Sequence, residues 1–119
     1  MKARQIMGVN DTVTIVAAAA ITAKRLVTAL GTHAAGQEAV GVALHDTDSG
    51  SDISVGVAPI EVVETGGTVT AGGGVKTDSA GRVVNQGGSG VIVGYALDAA
   101  GSTAGEFIRI LLTHGGNIA

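Results

Sequence analysis

At 119 residues and 11.6 kDa, the chain is sized for one compact domain. It carries 7 Lys and Arg against 10 Asp and Glu, a formal net charge of −3, and only two aromatic residues, Tyr95 and Phe107. A phosphate-backbone binder needs a basic footprint and a single-strand binder needs stacking platforms, so nucleic acid is excluded as an expected partner.

The apolar fraction is 45 % with a mean hydropathy of +0.44, yet its mass is mostly Val, Ala, Leu and Ile beside 20 Gly. Small side chains bury little area at about 25 cal/mol per Å², and glycine raises the entropy lost on folding. The composition therefore points to support from subunit contacts. The absence of cysteine excludes disulfides, thiolate metal sites and a thiol nucleophile.

Along the chain, residues 1–11 mix Lys2, Arg4 and Gln5 with Ile6, Met7 and Val9 and lie outside the pattern that follows. They read as an extended N-terminal arm, able to add to the edge of another protein's sheet. Lys2 and Arg4 precede an apolar stretch at 13–20, but Asn10, Asp11, Thr12 and Thr14 interrupt it, which argues against a signal peptide. No segment approaches the roughly 18 apolar residues of a membrane span, and no membrane partner is expected.

From residue 12 the pattern is β: short runs of Val, Ile and Thr split by Gly, Ser, Asp and Asn. Strands are predicted at 12–16, 26–28, 39–45, 53–57, 60–64, 75–77, 82–84, 91–97 and 106–113, with Pro59 at a boundary and a hairpin turn at Ser79, Ala80 and Gly81. Residues 17–30 could alone form a helix, since Ala20, Ala23, Val27 and Leu30 share a face. An internal repeat decides against it. The run from Ile21 to Val27 aligns with Val69 to Val75 at an offset of 48, and the second copy holds Gly72, Gly73 and Gly74, each costing about 1 kcal/mol in a helix. The run from Val40 to Leu44 is echoed by Val93 to Leu97 at an offset of 53, so the second half gains five residues between the markers. The expectation is an all-β fold, a small antiparallel barrel or sandwich of two related halves, about 12–58 and 60–113, in a single domain at 12–119.

Two strands are apolar on both faces. In 106–113, Ile108, Ile110 and Leu112 point one way, while Phe107 and Leu111 flank Arg109 on the other; in 91–97 both alternating sets are apolar or small. A second apolar face is covered by another subunit or by closure of the barrel or sandwich itself.

The chemistry-bearing motifs are weak. Asp46, Asp48 and Asp52 follow His45 in a loop with alternating carboxylates, but Gly50, Ser51 and Val57 fall where an EF-hand needs an oxygen ligand, Gly and Glu, so it reads as a solvated turn. Gly72 to Thr77 resembles the end of a phosphate loop, except that Val75 precedes Lys76 and no helix follows. Its glycines suit positive φ in a turn or close approach of another chain. His33, His45 and His114 lack ligand spacing, and no serine lies in a nucleophile elbow. Asn10 to Thr12 forms a glycosylation sequon that carries no weight without a secretory signal. No catalytic residue, metal or cofactor is assigned. The competing readings are a ligand- or carbohydrate-binding β module, which would want aromatic platforms, and a small hydrolase or metal enzyme around His45, Asp46, Asp48 and Asp52.

The succession ITAKRLV, VGVALHDTDSGSDISVGV, GGTVTAGGGVKTDSAGRVV and VIVGYALDAAGSTAGEFIRILL resembles the small capsid cement, or head decoration, proteins of tailed bacteriophages. The resemblance runs from about residue 21 to 112 and rests on the order and spacing of a twice-used G-x-A-L strand, a Gly-rich hairpin and a closing strand. It implies a structural, non-enzymatic virion protein, made in the host cytoplasm, that joins the outer surface of an assembled capsid as a homotrimer and clamps neighbouring major capsid subunits. On that reading Lys2, Arg4, Gln5, Ile6, Met7 and Val9 would dock on capsid protein, and Tyr95, Phe107, Arg109 and Leu111 would form the trimer contact.

Overall fold

A computed structural model describes residues 12–113. The expected arm at 1–11, with its six expected capsid-binding residues and the first two residues of the sequon, lies outside the described residues, as does His114. Within them nine strands form and no helix: β1 Thr12–Val16, β2 Leu26–Val27, β3 Gly41–Ala43, β4 Asp52–Gly56, β5 Ile60–Glu64, β6 Gly74–Thr77, β7 Val83–Asn85, β8 Gly94–Ala96 and β9 Phe107–Leu112. They build two antiparallel sheets, ordered β1-β4-β3-β2 and β5-β9-β8-β6-β7. The all-β expectation stands, but among the described residues neither sheet closes into a barrel.

The two sheets share one plan. Replacing β1, β4, β3 and β2 by β5, β9, β8 and β6 turns the first order into the second, with β7 added at the edge. The register follows: Thr12 faces Gly56 as Ile60 faces Leu111, and Val42 faces Gly56 as Tyr95 faces Leu111. So do the connecting bonds. Lys24 N–H donates to Ala43 O at 2.7 Å, as Gly72 N–H does to Ala96 O at 2.7 Å. The Ile21–Thr47 bridge recurs as Val69–Ala100. The region from Ala17 to Val27 is thus turn, bridge and short strand, like its counterpart, and not a helix.

Each half encloses its own apolar set beneath its sheet. Ala17, Ile21, Val27, Ala43, Ile53 and Val55 form one cluster. Their counterparts Val69, Val75, Ala96, Ile108 and Ile110 belong to the other, and Thr65 stands in place of Ala17. The strands earn these positions by alternation, β9 being the clearest, with Ile108, Ile110 and Leu112 in and Phe107, Arg109 and Leu111 out.

The halves meet along a seam. Leu26, Ala34 and Val42 of the first half join the cluster of the second. Leu26 N–H donates to Gly81 O and Glu64 N–H to Lys24 O, both at 2.8 Å. Arg25 Nε reaches Glu64 Oε1 at 2.9 Å, a half-buried ion pair across the seam.

The hairpin expected at residues 79–81 connects β6 and β7. Asp78 N–H donates to Arg82 O, Gly81 has φ +81°, and the Asp78 carboxylate accepts from the N–H groups of Ala80 and Arg82. The first half holds a matching turn that its sequence did not advertise, with Thr28 N–H bonded to Thr32 O and Gly31 at φ +84°.

Candidate functional site

Tyr95, Phe107, Arg109 and Leu111 lie on one face of the second sheet, the face turned away from its core. Antiparallel register sets the rows, because directly opposed residues share a face. Ile60, Leu111 and Tyr95 form one row across β5, β9 and β8; Val62 and Arg109 form the next; Glu64 and Phe107 the third. Leu97, whose N–H bonds to Arg109 O, extends the second row. Six large apolar side chains are therefore exposed together, with Phe107 at 59 %.

Ile60, Val62 and Leu97 were not among the expected site residues. The alternation in the 60–64 strand carries a signal for the first two, but only the β5–β9 register shows that they extend the face of β9.

At the centre of this face stands a self-contained ion pair. Arg109 Nη2 donates to Asp98 Oδ1 at 2.8 Å, Arg109 Nε to Oδ2 at 3.0 Å and Arg109 N–H to Oδ2 at 2.9 Å. The guanidinium bonds, with the backbone N–H second, hold the Asp98 carboxyl down at about 2, and the carboxylate in turn raises the guanidinium above its ordinary value. A charged pair that satisfies itself can be covered by an apolar partner without demanding a countercharge.

The corresponding face of the first half is different. Thr12, Thr14, Ser54 and Asp52 replace Ile60, Val62, Arg109 and Phe107. Val42, the counterpart of Tyr95, is wholly buried under the second half. One architecture thus carries a mainly polar outer face in one copy, with Val16 exposed at its end, and a mainly apolar one in the other.

The remaining candidates are held by structural bonds. His45 Nε2 accepts the Ser54 N–H at 3.1 Å, as Asp98 accepts the Arg109 N–H in the other half, and Asp46 Oδ1 accepts the Ala23 N–H at 2.8 Å. Asp48 and Asp52 are exposed. Among the described residues no group of three or more His, Cys, Asp or Glu could hold a metal, and the surface forms no pocket. Gly72 takes φ +85°, as a turn glycine should, while Lys76 Nζ donates to Ser89 O and cradles nothing. His33 Nε2 likewise accepts a backbone N–H, that of Thr22, at 3.0 Å.

The sequence matches the phage cement protein family over residues 7–112. In fold it is similar to the head fiber gp8.5 N base of bacteriophage phi29, with a TM-score of 0.67 and 23 % identity, covering 86 % of this chain and 92 % of that one. No curated protein matches it. With the family match spanning nearly the whole chain and an all-β structure beneath it, the chain belongs to the phage cement protein family and is a capsid-associated structural protein.

Proposed function

We propose that this protein binds the outer surface of an assembled phage capsid as a homotrimer and clamps neighbouring major capsid subunits together. The observation that carries the reading is the exposed face of Tyr95, Leu97, Phe107, Leu111, Ile60 and Val62 around a neutralised ion pair. A contiguous apolar face with a satisfied polar centre is a surface that a protein partner covers. The trimer contact is assigned to this face, through Tyr95, Phe107, Arg109 and Leu111. The arm, through Lys2, Arg4, Gln5, Ile6, Met7 and Val9, is assigned to the capsid.

Mechanically the reading needs no catalytic step. A protein that binds only the assembled shell stabilises that shell by linkage, and three arms on one trimer raise the effective concentration at the second and third sites. The protein acts on the virion surface after synthesis in the host cytoplasm. Co-sedimentation tests it: intact capsids should carry the protein down, and free major capsid protein should not. Equal retention by both, or retention by neither, overturns the reading.

A further inference from the structure

The seam inside the chain supplies a template for the contact between chains. On the first half, the covered surface is built from Lys24, Arg25, Leu26, Val42 and Gly56. On the second, the covering parts are β5 and the β6–β7 hairpin: Glu64 bonds to Lys24 and Arg25, Gly81 bonds to Leu26, and the Glu61 carboxylate lies against Gly56. Because the halves share one plan, each of these surfaces has a copy that the seam leaves unused.

The unused copy of the covered surface is Gly72, Gly73, Gly74, Tyr95 and Leu111, which is part of the exposed apolar face. The unused copy of the covering parts is β1 and the first-half turn. There, Val13 stands for Glu61 and Val16 for Glu64; the turn is four residues shorter than the β6–β7 hairpin, its Val27–His33 bridge matching the Val75–Asn85 pair, and Leu30 stands at its tip as Gly81 does near the tip of the longer one. Val13, Val16 and Leu30 are also the large apolar residues that the first half exposes, Val16 at 60 % and Leu30 at 79 %. The seam's charged residues are thus replaced by apolar ones on both unused sides: Glu64 by Val16, Arg25 by Gly73.

We infer that a second copy of this chain docks its β1 and Leu30 turn onto the β8–β9 face, repeating between chains the packing that joins the halves within one. The contact is head to tail, so the two patches are different surfaces and each chain offers one of each. In the homotrimer proposed above, on which this inference rests, three such contacts close six related halves into one ring. The charge pattern favours this occupant, because a self-paired Arg109 and Asp98 ask for an uncharged neighbour and β1 offers Thr12, Val13, Thr14, Ile15 and Val16.

Sedimentation velocity on the full-length chain at micromolar concentration tests it. Val16→Glu, Leu30→Glu and Leu111→Asp should each weaken association at least about tenfold, since each buries an unpaired charge in the contact. Val16 and Leu30 are mostly exposed in the single chain, so circular dichroism should be unchanged in those variants. Adding Gly73→Arg to Val16→Glu rebuilds the Arg25–Glu64 pair across the contact and should recover association several-fold. Mixing Val16→Glu chains with Leu111→Asp chains should give one-to-one dimers, because each variant keeps the half of the contact the other lacks. If Val16→Glu and Leu30→Glu associate like the unaltered chain while Leu111→Asp does not, the head-to-tail contact is overturned and the homotrimer reading survives. If the unaltered chain is monomeric, both fall.

Discussion

Thr65 occupies in the second half the place that Ala17 holds in the first. Ala17 N–H donates to Ser51 O at 2.8 Å and Thr65 N–H to Glu106 O at 2.7 Å, yet Thr65 brings a fully buried hydroxyl with no hydrogen-bond partner among the described residues. An enclosed, unpaired hydroxyl costs free energy that its methyl analogue does not. Thr65→Val, which keeps the shape, should raise unfolding stability by about 1 kcal/mol, read as a higher urea midpoint at unchanged slope. A lower midpoint would show the hydroxyl to be bonded after all.

Lys24 and Gly72 form a second divergent pair. Both make the turn that precedes their strand, Lys24 at φ +67° and Gly72 at φ +85°. A side chain in the left-handed region costs roughly 1–2 kcal/mol, partly offset by the greater freedom of glycine in the unfolded chain. Lys24→Gly should therefore stabilise by about 0.5 kcal/mol, and Gly72→Ala, where a Cβ meets open space and only the backbone angle matters, should destabilise by about 1 kcal/mol. Thermal melts of the two variants should move in opposite directions.

His33 makes the protein weaker in mild acid. Partial burial and then the nearby Arg25 push its pKa below the ordinary 6.5, against the opposing pull of Asp78 and Glu64, and protonation would break the bond that Nε2 accepts from Thr22. With the folded value below the unfolded one, the unfolded chain binds the proton more readily. The stability from a neutral His33 is complete above about pH 6.5 and is lost as pH falls toward the folded value. Asp98, at about 2, stays ionised throughout that range and contributes nothing to the slope. Urea midpoints should fall between about pH 7.5 and 5, and His33→Gln, which keeps an acceptor for Thr22, should flatten the profile.

Most of the strand positions were legible because Val, Ile and Thr runs end at glycines and polar clusters. The expected strands at 12–16 and 60–64 are β1 and β5 residue for residue. The longer expectations at 39–45 and 91–97 shrink to three residues each, β3 and β8. β3 pairs over two residues with each of β2 and β4, β8 over two with β6 and three with β9, and a strand extends no further than its pairing. The alternation of β9 sufficed to bring Phe107, Arg109 and Leu111 to one surface. What stayed hidden depends on register and on contacts between distant segments: the alignment of β4 with β9 at an offset of 55, the meeting of Glu64 with Arg25, and a turn built on lysine where its twin uses glycine.

Phe107 and Leu111 should be dispensable to the fold of one chain and necessary to its association. Both point away from the core, so Phe107→Asp should leave the urea midpoint within about 0.5 kcal/mol while shifting the sedimentation coefficient toward that of a monomer. An unshifted coefficient would remove Phe107 from the contact.

Removal of residues 1–9 addresses the other surface. The truncated protein should keep its oligomeric mass and lose occupancy on purified capsids, measured by the band ratio of this protein to capsid protein. Full occupancy would move the capsid contact onto residues 10–119.

The seam also governs how the molecule comes apart. Because Leu26, Ala34 and Val42 complete the core of the second half, and main-chain bonds cross between Leu26 and Gly81 and between Lys24 and Glu64, the second half alone lacks part of its interior and the first alone would expose those three side chains. Heat or denaturant should meet one cooperative unit with a single transition, and a protease cut near Pro59 would leave two fragments still locked together. On the capsid surface proposed above, such a unit leaves whole or stays.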